Sequence, residues 1–399
     1  MKLGRLLALG LFVGLAACEE ELTVPGQCPE FCPPGLPELL EVVIPAQPAS
    51  DTAFVGYVGL SSPAALLVSD GLPAGEARAW YRFPKRPDSI TVRDSLNFYT
   101  VDSVAFEINL IVRDTLVLDL SLLVHRVPLT WDTLTSFAEV DAALTDETVL
   151  DTLPVPDTLR TGPLRLVVSG DALDKLVLDK ADSNKLAIGL QVRGAVGTGV
   201  RLGSVAGTSG AARFITYAHV PVTDTAIQKQ TINLTADTNA YVFEPARTVD
   251  PDLLYLGGLP AARTIVRFQV PAFVLDSAEV VRATLELTPA QEVNGLPNDI
   301  ASLEARTVTA DLGAKSTPTF TLRALTNLPT GTSGVIGADV LPILNGWRAP
   351  ARLPQMLYLS ITPEAGSFHM PVFRSTRSPE GGGPQLRIAY MRRAALERP

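Results

Sequence analysis

The stretch Glu76-Ala77-Arg78-Ala79-Trp80-Tyr81-Arg82-Phe83 concentrates the side chains of this sequence best suited to recognising a ligand. In a strand, Ala79, Tyr81 and Phe83 share one face while Arg78, Trp80 and Arg82 share the other. An exposed tryptophan between two arginines can stack on a sugar ring while the guanidinium groups hold carboxylates of an acidic polysaccharide. Any glycan contact is therefore expected at Arg78, Trp80 and Arg82. The competing expectation is that a loop covers this face and Trp80 is packing, because large aromatics are usually highly buried.

Nucleophile–base chemistry finds little material. His125, His219 and His369 are the only histidines, and the first two fall on or beside strands with no cysteine or Gly-x-Ser-x-Gly nucleophile at motif spacing. The run Gly194–Gly199 lacks the Lys-Ser/Thr that completes a phosphate loop, and a hairpin turn explains it better. Asp179, Asp182, Asn184, Asp250, Asp252 and Asp299 carry the hard oxygens calcium prefers, yet none matches EF-hand spacing and solvated turn carboxylates are expected. The expectation is a protein that is not an enzyme, with no catalytic residue, no cofactor and no metal.

Composition narrows the classes further. A chain of 399 residues, 46% apolar, can bury two or three cores. No interior apolar run is long enough to span a bilayer. Thirty-three basic against 42 acidic residues leave a net −9, which argues against nucleic acid and gives no support for anionic lipid.

All three cysteines precede residue 33. Lys2 and Arg5 lead into the apolar run Leu6–Ala17, a secretory signal in form, over 1–17. It closes on Leu15-Ala16-Ala17-Cys18, which resembles the lipobox of bacterial lipoproteins, so Cys18 is the expected site of lipid attachment. Glu19 follows instead of aspartate, and by the same resemblance favours the outer membrane of a bacterial cell envelope. Residues 18–49, with seven prolines from Pro25 to Pro48, read as an extended tether. Within it Cys28 and Cys32 have no histidine nearby to complete a zinc site; a local disulfide is expected in an exported protein, with free thiols the alternative.

The elements that would position these residues come in two copies. Leu66-Leu67-Val68-Ser69-Asp70-Gly71-Leu72-Pro73-Ala74 returns as Leu253-Leu254-Tyr255-Leu256-Gly257-Gly258-Leu259-Pro260-Ala261. Asp51-Thr52 returns as Asp237-Thr238, and Arg82-Phe83 as Arg267-Phe268. This is a duplicated domain. Val104–Val112 alternates as a strand, and so does Leu116–Val124, with Arg113-Asp114 as the hairpin turn between them. Asp171 and Asp339 can each cap a short helix, near 171–178 and 339–347. Trp131 and Trp347 read as core anchors.

The expected fold is all-β, two tandem antiparallel β-sandwich domains at 50–220 and 223–392, each with one short helix, followed by a tail at 393–399. The order of an Asp-Thr strand, Leu-Leu-Val, an Arg-Phe strand, Ala283-Thr284-Leu285-Glu286-Leu287, Val124-His125-Arg126-Val127, an Asp-led helix ending near Trp347 and a closing strand ending in tyrosine resembles the DNRLRE family of bacterial secreted modules. That resemblance implies a jelly roll of the carbohydrate-binding-module kind. It covers most of 50–219 and 223–391, and departs at Asp179, which stands at the tryptophan position. The functional expectation is a lipid-anchored envelope protein binding polysaccharide or another envelope ligand. The alternative is an assembly lipoprotein acting as spacer and protein-docking surface.

Overall fold

The structure, a computed structural model, describes residues 38–392 apart from 58–62, 133, 171–172, 174–184, 222–226, 246–249 and 351. Strands β1 (Leu39–Pro45) and β2 (Thr52–Tyr57) come first. A first unit then runs through β3 (Ala65–Asp70), β4 (Ala77–Phe83), the hairpin β5 (Ile90–Val92) and β6 (Ser95–Asn97), β7 (Thr100–Arg113) and β8 (Ser121–Arg126). It continues with helix α1 (Phe137–Ala143), β9 (Val149–Pro154), β10 (Gly162–Ser169), β11 (Leu186–Arg193), β12 (Thr198–Gly203), β13 (Arg213–Pro221), β14 (Ile227–Thr235) and β15 (Thr238–Phe243). The second unit holds β16 (Leu253–Tyr255), β17 (Ala261–Arg267), helix α2 (Ala272–Asp276), β18 (Ala278–Leu287), β19 (Ser302–Val308) and β20 (Pro318–Asn327). It ends with β21 (Ile336–Asp339), helix α3 (Leu341–Arg348), β22 (Met356–Thr362), β23 (Val372–Arg374) and β24 (Gln385–Arg392). The fold is all-β and its sheets are antiparallel.

In the first unit one sheet, ordered β14-β13-β7-β12-β3-β4-β11-β8-β9 with β10 on β7 and β15 on β4, curls over a core containing Tyr81, Phe83, Phe106, Ile188 and Phe214. In the second, the sheets β1-β24-β18-β21 and β2-β17-β22-β19-β20 enclose Val266, Leu285, Leu303, Leu359 and Ile388. Period-two sequence produces this directly. Leu164, Leu166 and Val168 of β10 are buried, while Pro163, Arg165 and Val167 point outward. Helix α3 forms near the expected place but begins at Leu341 with Val340, not Asp339, as its N-cap; Leu341 donates its N–H to Asp339 Oδ1 at 3.0 Å, Pro342 sits in the first turn, and Trp347 donates Nε1–H to Thr307 Oγ1 at 3.0 Å inside the core. The other expected helix, 171–178, lies outside the described residues except for Leu173, which is buried in the first core.

Two expectations are corrected. The first concerns the domain boundaries at 50–220 and 223–392. Strands β1 and β2 pair with β24 and β17 and so complete the second unit, with Val43 opposite Arg387 and Phe54 opposite Arg263. Their sequence equivalents, β14 and β15, pair with β13 and β4 and complete the first unit. The first folded unit therefore ends near residue 243, and the second is built from 39–57 together with 253–392. Because Asp51-Thr52 and Asp237-Thr238 open equivalent strands, either assignment satisfies the sequence pattern. The observed one keeps β13 and β14 as a local pair and lets the N-terminus close the C-terminal sheet.

The second correction concerns Leu116–Val124. Only its end is strand β8, which pairs with β11 and β9, whereas β7 pairs with β10, β12 and β13. Residues 114–120 instead wrap the buried Arg113 guanidinium, which donates to the carbonyls of Asp114 (3.0 Å), Val117 and Pro156 (2.7 Å) and to Asp157 Oδ1 (3.1 Å). These carbonyls find an arginine in place of a strand ladder, and Leu116 and Leu118 are left exposed.

Candidate functional site

Arg78, Trp80 and Arg82 do not form an exposed platform. Trp80 is 0% exposed, packed with Val127, Trp131, Val140, Leu144, Ala187 and Ala240. The segment 127–148, carrying α1, lies across this face. It begins at Val127, donates Val140 and Leu144 to the cluster, and is started by a capping box between Ser136 and Glu139. Opposite Trp80 in register stands Gly189, where a Cβ would come within 2.6 Å of Val127 and 2.9 Å of Leu144. The glycine is what lets the segment approach the sheet so closely.

Arg78, 3% exposed, ties that cover down. It donates to the Ser69 carbonyl at 2.6 Å, to Asp70 at 3.3 Å, to Glu76 at 3.2 Å and to Asp141 of α1 at 2.9 Å, and its guanidinium lies 5.5 Å from the Phe137 ring centre. Arg82 donates to Thr238 Oγ1 at 2.9 Å and is partly exposed. The competing expectation of a covered face describes this corner, and no stacking surface remains for a sugar. Cys18, Cys28 and Cys32 lie outside the described residues.

The histidines are structural in their settings. His125 is buried with Nδ1 at 3.0 Å from Thr148 Oγ1, and burial pushes its pKa below the ordinary value. His219 stands 2.9 Å from Asp102. His369 has Nε2 at 3.2 Å from Thr330 Oγ1 and Nδ1 at 3.2 Å from Ser367 Oγ, with Asp299 Oδ2 farther away at 3.8 Å. Both His369 and Asp299 have fully buried side chains, Asp299 pairs with Arg201 across the seam between units, and the Thr330 hydroxyl donates to the Leu296 carbonyl at 3.1 Å. Asp299 is thus an ion-pair partner, where a solvated turn carboxylate was expected. Asp179, Asp182 and Asn184 lie outside the described residues. Among the described residues no group of three or more metal-ligating side chains is gathered.

The corresponding face of the second unit is buried along Ile265, Met356 and Tyr358 and opens on a cleft beside Glu304. Residues 309–317, between β19 and β20, reach over one end of the outer surface of β2-β17-β22-β19-β20: Tyr57 donates to the Ala314 carbonyl at 3.3 Å, Arg267 pairs with Asp311, and Ile265, Met356 and Tyr358 are buried. Ile265, opposite Tyr358, stands near the place that Trp80 takes in the first unit. Along this surface Arg263 is paired with Glu364 through two contacts, one of them 2.5 Å. Its guanidinium lies 3.6 Å from the ring centre of Tyr57 and 5.5 Å from that of Tyr358. Glu304, nearly buried, accepts from Arg306 at 2.7 Å, from Thr362 at 3.0 Å and from Arg323 at 3.4 Å. Phe320, 81% exposed, has the Arg306 guanidinium 5.7 Å from its ring centre.

These groups border a cleft of about 170 Å³ lined by Arg263, Glu304, Arg306, Tyr358, Ser360 and Glu364. Burial pushes the Tyr358 hydroxyl up to about 12, against the pull of Arg263, so it remains a protonated donor at neutral pH. Sequence reasoning missed this site because its residues come from five strands separated by up to 300 positions. The one available signal was the outward phase of Arg263, Ile265 and Arg267 along β17.

No family model matches the chain, and no curated protein matches it.

Proposed function

We propose that this is a lipid-anchored, non-catalytic cell-envelope protein whose second unit binds a neutral polysaccharide at the cleft on the outer face of β2-β17-β22-β19-β20. One observation carries the reading: beside the buried part of this face a cleft remains, lined by paired charges at Arg263, Glu304, Arg306 and Glu364, with the exposed Phe320 ring close to Arg306. Exposed aromatic faces suit sugar rings, and carboxylate–guanidinium pairs offer acceptors and donors side by side for vicinal hydroxyls. Each arginine of the face is already met by a carboxylate: Arg263 by Glu364, Arg306 and Arg323 by Glu304, Arg267 by Asp311. A charged ligand would have to break a pair to use these arginines, which favours an uncharged chain over the acidic one expected from Arg78 and Arg82.

Anchoring through Cys18 rests on the lipobox alone, as does outer-membrane placement, and the DNRLRE resemblance rests on the residues quoted for it. Mobility in gels containing soluble glucans, xylans or mannans tests the binding. Wild type should be retarded by at least one and Phe320→Ala released; equal mobility of both in every gel contradicts the reading.

Docking of another envelope protein has one observation in its favour. Leu116 and Ile300, both exposed, follow Thr115 and Asn298 in the chain, and Asn298 donates to Thr115 Oγ1 at 3.4 Å across the seam. Recovery of a specific cross-linked partner that Leu116→Asp loses would favour it.

A further inference from the structure

On the outer side of the first unit, β13 runs beside β7 only as far as Glu107, and β12 takes over beside it at Leu110. Ile108 and Asn109 have neither neighbour on that edge, and a cleft of about 310 Å³ opens there, lined by Glu107, Asn109, Pro163, Gly210, Arg213 and Thr235. This cleft shares no residue with the five-stranded face of the second unit.

Its charges do not balance. Glu107 accepts from Arg165 at 2.7 Å and from Arg213 at 2.5 Å, so two guanidinium groups share one carboxylate. Arg213 is 58% exposed beside the cleft, and Glu107 draws on one of its terminal nitrogens. Arg165 is held in place by the Tyr217 hydroxyl and lies 5.9 Å from that ring's centre. Asn109 commits its amide N–H to the Ser209 carbonyl, which leaves its Oδ1 as an acceptor on the cleft wall.

The second unit carries a related cluster with its arginine two residues further along the closing strand, opposite Thr284. Glu286, in Ala283-Thr284-Leu285-Glu286-Leu287, matches Glu107 in Val104-Ala105-Phe106-Glu107-Ile108. It accepts from Arg387 of the closing strand at 2.7 Å, as Glu107 accepts from Arg213. There Arg387 meets a second carboxylate, Glu41, brought by β1. Val43 stands opposite Arg387 and Glu41 lies two residues before it; in the first unit Thr235 stands opposite Arg213 and Asn233 lies two residues before it. Counted from the arginine, an amide stands where the second unit carries a carboxylate.

We infer that the cleft beside Arg213 binds a carboxylate-bearing sugar, a uronate, whose anionic group supplies the charge that Glu41 supplies in the second unit. The carboxylate pairs with the Arg213 guanidinium, and ring hydroxyls meet Asn109 Oδ1 and the Thr235 hydroxyl. Titration calorimetry of the full chain at low salt, where exposed charge pairs are least screened, tests this with D-glucuronate, D-glucose and inorganic phosphate as probes. Glucuronate should bind saturably and glucose should not. Asn233→Glu, an exposed change that supplies the counter-charge from the protein itself, should weaken glucuronate binding about tenfold or more, as should Arg213→Gln. Circular dichroism melts unchanged from wild type confirm that both variants fold. Absence of saturable glucuronate binding, equal binding of glucose, or an Asn233→Glu variant that binds like wild type overturns the proposal. Phosphate that displaces glucuronate at equal concentration overturns the sugar assignment.

Discussion

Leu259 donates its backbone N–H to the carbonyl of Ala74 at 2.8 Å, so the two copies of the duplicated Gly-Leu-Pro-Ala turn meet each other where the units join. Gly71 (φ 64°) and Gly258 (φ 80°) stand at the same place in those copies, both in the left-handed region where a side chain is strained. Around this contact Leu67, Ala77, Leu296 and Phe368 form a shared core, and Arg201 of the first unit pairs with Asp299 of the second. The duplication therefore supplies the joint as well as the parts.

The joint should couple the units. Arg201 and Asp299 are largely and wholly buried, so removing one partner leaves a charge without compensation. Arg201→Ala should cost about 3–5 kcal/mol. In calorimetry a single unfolding transition should separate toward two; an unchanged profile would show that the pair contributes nothing to coupling.

Closure of the second unit by β1 and β2 makes a truncation prediction. Ile44 of β1 is buried in the second core, worth about 1.5–3 kcal/mol by itself, and seven residues of β1 pair with β24. A fragment spanning 63–245 should unfold cooperatively, whereas 223–392 should not. Cooperative melting of 223–392 by circular dichroism would refute the closure.

Trp80→Ala opens a cavity among Val127, Trp131, Val140 and Leu144. It should cost about 3–5 kcal/mol in denaturant unfolding, with binding to any polysaccharide retained under native conditions. A variant of wild-type stability would return Trp80 to the surface.

His125 gives a pH signature. Burial holds its folded pKa below the ordinary 6.5, so the unfolded chain binds the proton more readily. Its stabilising contribution is full above about 6.5 and is lost as pH falls from there through the folded value. The unfolding midpoint should drop between pH 7 and 5, and His125→Gln should flatten that slope. An equal slope in both proteins would refute it.

Much of the architecture was legible because alternation at Val104–Val112, Leu164–Val168 and Leu186–Val192 says which side chains turn inward. What alternation leaves open is what lies on the other face. Arg78-Ala79-Trp80-Tyr81 carries the same pattern whether its outer side meets water or the 127–148 segment, whose few apolar anchors (Val127, Trp131, Val140, Leu144) are irregularly spaced. Strand exchange was equally hidden, since β1–β2 and β14–β15 are interchangeable in pattern and only their pairing separates them. The cleft of the second unit was hidden because Glu304, Arg306, Phe320 and Tyr358 meet only once β19, β20 and β22 are adjacent.

Backbone amide chemical-shift mapping during titration with cellohexaose, xylohexaose and mannohexaose tests the central claim most directly. The account predicts that at least one of these shifts Arg263, Arg306, Phe320, Tyr358 and Ser360 together, with 76–83 unmoved. Shifts centred on 76–83, or no shift on the five-stranded face with any of the three, would contradict it.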